Sequence, residues 1–147
     1  MMNAGEISRT ALDVEWRRLE VISENLANMN SARTQAGVLY QARHLLSGPK
    51  PGFASYLDGV AGASAVDLNQ LQGVAVLGVE ADNAPPRLVH EPGNPLADAN
   101  GMVAYPAVDH AEQMLLMVKT SRAYEANIVA MNAAGRMYSK ALDIGRR

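Results

Sequence analysis

All seven prolines of this 147-residue chain fall between Pro49 and Pro106. Proline removes a backbone donor and clashes with the preceding turn, so long helices survive only where it is missing. Residues 1–48 and 107–147 contain none. The 41 residues from 107 to 147 would make a helix on the order of 60 Å long at ~1.5 Å per residue. Such a helix overhangs any core a chain of this size can build, so it needs partners. The candidates are the other terminal helix and neighbouring copies of the same protein.

Periodicity supports a helix at each end. Leu12, Trp16, Leu19, Ile22, Leu26 and Met29 step by 4, 3, 3, 4 and 3, which places them on one helical face. Glu15, Arg17, Arg18, Glu20 and Glu24 then fill the solvent side, and Asn28-Met29-Asn30-Ser31 carries the residues that end helices. Ala107, Ala111, Met114, Val118, Ser121, Tyr124, Ile128, Met131, Gly135, Tyr138 and Leu142 step alternately by 3 and 4, with one extra 3. Their mean spacing is near the ~3.5 of a coiled-coil seam rather than the ~3.6 of a lone straight helix. Pro106 suits the first turn of that helix. Leu115, Met117, Val129 and Met137 lie off the seam, so apolar groups surround more of the circumference than one partner covers.

The prolines enclose a β-rich insert. Val74, Val76 and Val79 sit in one short run, Arg87 to Glu91 form a second, and Met102 to Tyr105 a third. Asn100-Gly101 supplies a turn signal ahead of the last. Val38 to Leu46 is a further strand candidate, and Ser47 to Ala65, with four glycines and two prolines, reads as a mobile loop. The expected fold class is α+β: long N- and C-terminal helices pairing as a coiled-coil domain, with a small β-rich insert between them. The corresponding divisions are 1–35, 36–105 with a flexible loop at about 47–70, and 106–147.

Composition excludes several functions. Apolar residues make up 48% and charged residues 19%, too apolar for a wholly disordered chain. Aromatic residues are 5%, while methionine occurs eight times; small and flexible side chains suit helix seams. The net charge of −2 is spread without a basic stripe, so nucleic acid is not an expected partner. There is no cysteine, hence no disulfide or thiolate site. The N-terminus has neither a basic start nor a continuous apolar run, so no cleaved signal is expected. No stretch reaches the ~20 apolar residues of a membrane span.

Chemistry is equally unsupported. His44, His90 and His110 are far apart in sequence, and His90-Glu91 lacks the second histidine of a zinc-protease motif. Asp98-Ala99-Asn100-Gly101 begins like a calcium loop but lacks the downstream glutamate. Neither a phosphate-binding glycine loop nor a nucleophile elbow occurs. The reading is of a protein that is not an enzyme and takes no cofactor, metal or small-molecule substrate. A cytoplasmic helical scaffold would also explain the amphipathic ends.

Three segments narrow this choice. Leu19 to Asn28 reads L-E-V-I-S-E-N-L-A-N and contains Asn25, Leu26, Ala27 and Asn28, with Arg33-Thr34 following. His90 to Pro106 reads H-E-P-G-N-P-L-A-D-A-N-G-M-V-A-Y-P and contains Pro95, Leu96, Ala97, Asp98, Asn100 and Gly101. Ser121 to Asn127 reads S-R-A-Y-E-A-N and contains Ser121, Arg122, Tyr124 and Asn127. Together they resemble the bacterial flagellar axial proteins, and within them the proximal rod type. Tyr40 and Arg43 look like that family's aromatic-basic pair, although its usual Gly-Pro lead-in is absent and 47–72 shows no family pattern. The resemblance implies a structural subunit exported by the flagellar type III apparatus, placed in the basal-body rod across the periplasmic space. It implies a helical tube transmitting motor torque, with copies of itself, other rod subunits, the membrane-ring protein and the export apparatus as partners. It implies that Leu12, Trp16, Leu19, Ile22, Leu26, Met114, Val118, Ser121, Tyr124, Ile128, Met131, Gly135, Tyr138 and Leu142 form the assembly seam. A different rod or hook subunit is the nearest alternative.

Overall fold

The structure, a computed structural model, describes residues 4–32, 38–50 and 73–145. Along the chain these form α1 (Ala4–Asn28), β1 (Arg43–Pro49), β2 (Val74–Ala81), β3 (Arg87–His90), β4 (Met102–Tyr105) and α2 (His110–Gly145). The class is α+β, with two long terminal helices and two small two-stranded sheets, β1–β2 and β3–β4. Both helices lie in proline-free sequence. The expected loop at 47–70 falls outside the described residues from 51 onward, as does Arg33-Thr34.

Two boundaries differ from expectation. The early strand runs over 43–49 rather than 38–46. Asn25 bonds to both backbone groups of Arg43, the residue at which the strand begins. Pro49 is tolerated because it ends a strand in a two-stranded ribbon. The C-terminal helix starts at His110, not at Pro106. Asp109 is its cap: Oδ1 accepts from the amides of Ala111 (2.8 Å) and Glu112 (3.4 Å), satisfying donors that a helix start leaves open. Pro106 is instead buried directly after β4.

The chain divides into two compact units. The first comprises 1–17, 46–78 and 121–147. Here the Thr10 hydroxyl donates to the Ile7 carbonyl (2.8 Å) and accepts from the Val74 amide (3.1 Å), pinning the start of β2 to α1. Gly73, at φ 96°, makes this approach possible, because a Cβ there would collide with the Thr10 hydroxyl. Its carbonyl accepts from Lys50 at 2.8 Å. The rings of Trp16 and Tyr124 meet at 6.4 Å between centroids, tilted by 50°.

The second unit comprises 18–45 and 79–120. Its core gathers Val21, Ile22, Ala42 and Val103, with Val103 only 1% exposed. Antiparallel β3 and β4 pair Arg87 with Tyr105 and His90 with Met102. Gly101, at φ 74°, closes the connection between them.

Gly73→Ala therefore meets both a left-handed backbone and a steric clash. The expected loss is about 1–3 kcal/mol. Gly78→Ala, where no atom lies within 4 Å of an added Cβ, should stay within about 0.5 kcal/mol. Chemical denaturation of both variants checks the contrast.

Candidate assembly surfaces

The resemblance singles out Asn25, and the structure shows why an amide sits there. Asn25 is 1% exposed. Its Nδ2 donates to the Arg43 carbonyl (2.9 Å) and to Gln113 Oε1 (3.1 Å). Its Oδ1 accepts from the Tyr40 hydroxyl (2.8 Å) and the Arg43 amide (2.9 Å). Both donors and both lone pairs are used, so one side chain ties α1, the segment leading into β1, and α2. Leaving such a group unpaired when buried costs ~1–3 kcal/mol, which makes the arrangement exacting.

Around this node the neighbours are secondary. Arg43 lies over the Tyr40 ring at 5.8 Å and pairs with Glu24 at 3.4 Å. Both charges are about half exposed, and such pairs contribute little. Burial raises the Tyr40 hydroxyl above its ordinary value of 10.0; the Arg43 charge opposes the shift and Glu24 reinforces it. Asn28 donates back to the Glu24 carbonyl at 2.8 Å and its own carbonyl accepts from Ser31 at 3.0 Å, ending α1 where the sequence predicts.

The second motif is a loop built by its own side chains. Asp98 Oδ1 accepts from the amides of Asn100 (2.8 Å) and Met102 (2.9 Å). Asn94 Oδ1 accepts from Leu96 (3.0 Å), and its Nδ2 donates to Glu91 Oε2 (2.9 Å). The same carboxylate oxygen accepts from the Tyr105 hydroxyl at 3.1 Å, raising the phenol's pKa. A Cβ on Gly101 would stand 3.1 Å from Pro92 Cβ. Pro95, Leu96 and Ala97 fill the bend, with Leu96 50% exposed. The carboxylates here organise backbone. Among the described residues no group of three His, Asp or Glu side chains is placed to hold a metal. A hollow of about 920 Å³ bordered by Val38, Ala84, Pro86 and Ala107 is open, and its ionisable neighbours Arg43 and Asp82 are paired with Glu24 and His44.

In the third motif Tyr124 packs on Trp16, and Asn127 donates to the Ala123 carbonyl at 3.0 Å. Ser121 is half-buried and Arg122 exposed.

The expected seam and the faces the helices bury within the chain overlap only in part. On α1 the buried residues are Val14, Val21, Ile22 and Asn25. Leu12, Leu19 and Leu26 flank them half-buried, and Trp16 is 57% exposed. On α2 the fully buried residues are Gln113 and Thr120, both polar. Ser121, Tyr124, Ile128 and Met131 are half-buried beyond them, while Gly135 is exposed. Sequence reasoning missed Val14, Val21, Gln113 and Thr120. The signal available was their seven-residue spacing, 14 to 21 and 113 to 120, which a search for bulky apolar residues alone passes over.

Beside charged residues such as Glu112, Lys119, Arg122 and Glu125, α2 leaves large apolar side chains outside. In the second unit Met114, Leu115 and Val118 are 42%, 69% and 47% exposed. In the first unit Val129, Met137, Tyr138, Leu142 and Ile144 lie between 58% and 77% exposed. A helix that buries glutamine and threonine and exposes leucine, valine and isoleucine reverses the usual order, and exposed apolar surface of this kind marks interaction sites.

Residues 99–144, which include part of the loop motif and nearly all of α2, match the family described as flagellar basal body rod FlgEFG protein C-terminal. That match points to the class of flagellar basal-body rod proteins. Over 146 residues, 99% of this chain and 98% of the relative, the sequence is 36% identical to the flagellar basal-body rod protein FlgC of Salmonella typhimurium. The FlgC of Bacillus subtilis is 36% identical over 95% of each chain, and that of Borreliella burgdorferi is 33% identical over 94% of this chain and 93% of its own. The chain belongs to the FlgC family of flagellar basal-body rod proteins.

The Tyr40 shift has a definite sign. A phenol whose folded value is raised stabilises the fold fully below the unfolded value of 10.0, and that stability is lost as pH rises through the folded value. Tyr40→Phe should therefore flatten the fall of stability above pH 10.0, as read from denaturation midpoints across an alkaline series.

Proposed function

We propose that this chain is a structural subunit of the flagellar basal-body rod whose terminal helices pack, coiled-coil fashion, against copies of itself and other rod subunits. The observation that carries this is the apolar residue set on the outside of α2, together with membership of the FlgC family. The reading extends to export through the flagellar type III apparatus without cleavage, and to assembly across the periplasmic space as a helical tube that transmits torque. Its partners then include the membrane-ring protein. Residues 1–35 and 106–147 supply the core of that tube and 36–105 the insert, and no catalysis is involved. Among the described residues no helix is long and apolar enough to cross a membrane, in keeping with a subunit held by protein contacts.

Magnitudes favour a lattice over a dimer. Fully burying an exposed Leu, Val, Ile or Met side chain stabilises by about 1.5–3 kcal/mol. The eight outward residues of α2, already partly covered, are together worth on the order of 10 kcal/mol. Association costs ~4–15 kcal/mol in lost freedom. One pairwise contact is thus marginal, while a subunit enclosed by several neighbours is held firmly. The chain stays dispersed until it reaches a growing end.

Two outcomes are expected. Leu115→Asp and Val129→Asp, at exposed positions, should leave the isolated chain within about 0.5 kcal/mol of wild type but abolish rod assembly and swimming. Ile128→Leu should swim, as a volume-conserving exchange. Normal flagella built by both aspartate variants would assign assembly to other surfaces. Trp16, the one tryptophan of the chain, supplies a second test. Its emission should move to the blue, with loss of iodide quenching, on incorporation into rods.

A further inference from the structure

We infer that the Asn25–Gln113 pair is a register pin, two positioning residues that permit only one axial setting of α2 against α1 in the second unit. The inference concerns the single chain, and it bears on assembly only through the rod reading above, on which that part rests.

The face of α2 toward the chain offers Gln113, Leu116, Met117 and Thr120, while Leu115 and Val118 point outward. Leu116 and Met117 are only half-buried, Met is flexible enough to fill a gap in many settings, and a small threonine makes few interlocking contacts. Apolar packing of this kind tolerates a slide. Hydrogen bonding does not. Asn25 has one donor left after Arg43 is served, and Gln113 Oε1 receives it at 3.1 Å with Gln113 itself only 3% exposed.

Consider the alternatives one slip at a time. Moving α2 by one residue advances it ~1.5 Å and turns it ~100°, bringing Glu112 or Met114 to the site of Gln113. A three- or four-residue slip brings His110, Leu116, Asp109 or Met117. Leu cannot accept the bond, and the Met thioether accepts only weakly. Asp and Glu would bury a charge, and His would have to reach with a shorter, rigid ring. A seven-residue slip presents Thr120, whose hydroxyl is two bonds shorter than the glutamine arm, or Pro106. Only the observed setting satisfies the Asn25 donor. Buried polar pairs of this type add little net stability over an apolar replacement, and a single buried amide is well attested as a device for fixing helix register. The gain is therefore specificity: Leu115 and Val118 are presented to neighbours at one height.

The test uses the absence of cysteine. Nitroxide labels at Ser23→Cys and Lys119→Cys, both exposed positions in the second unit, report the α1–α2 distance by pulsed electron resonance in the purified full-length chain. The parent should give one narrow distance. Adding Gln113→Met, which keeps volume and helix propensity, should broaden it or add a population displaced by about 5–10 Å, the length of a half- or whole-heptad slip. Thr120→Val, a second buried polar removal on the same face, should keep the single distance, separating register from general loosening. An unchanged narrow distance in Gln113→Met overturns the pin, as does a broad distribution in the parent. These readings do not depend on rods. If Gln113→Met shifts the distance yet builds normal rods, the pin stands and the rod packing of α2 proposed above falls.

Discussion

The carboxamide of Asn25 is the constraint on which the second unit depends. It holds the backbone of Arg43 by both its polar groups, receives the Tyr40 hydroxyl and reaches across to Gln113. Without it four other polar groups at or near the interior would lose a partner together. Three stretches distant in sequence are thereby fixed at one point: a helix, the run into β1 and the start of α2. An apolar side chain of equal size could fill the volume but could not choose among settings, because dispersion contacts are short-ranged and undirected.

The helices divide their surfaces in a way that follows from this. The residues α2 buries fully are glutamine and threonine, while Leu115, Val118, Val129, Met137, Leu142 and Ile144 lie exposed. Such a division is unfavourable for a protein that works alone. For a rod subunit it separates two demands: a directional polar tie sets the shape of the monomer, and undirected apolar area is kept for neighbours.

The carboxylates and amides that suggest chemistry in the sequence are employed on backbone. Asp98 and Asn94 spend their oxygens on amides of their own loop, and Glu91 takes the Tyr105 hydroxyl and the Asn94 amide. Asp109 caps α2. These are local devices that give a short hairpin and a helix start their form, and they explain a motif dense in Pro, Asn, Asp and Gly without invoking a ligand.

Sequence alone determined the elements whose causes are local. Proline confined the helices to the ends, the 3-and-4 spacing marked both of them, and Asn100-Gly101 announced the turn whose left-handed backbone Gly101 adopts. The family motifs pointed to Asn25, Asp98 and Tyr124, residues that the fold then uses. What tertiary structure decided is which side of each helix turns inward. Leu12, Trp16, Leu19, Ile22 and Leu26 form the more apolar stripe, yet of these only Ile22 is fully buried, beside Val14, Val21 and Asn25. On α2 the choice fell on Gln113 and Thr120. Periodicity measures how apolar residues are spaced. It carries no information about which partner, the chain itself or a neighbour, each stripe will meet. In the second unit the inward faces meet at a four-way hydrogen bond between residues up to 88 positions apart, a contact that exists only once the chain has folded.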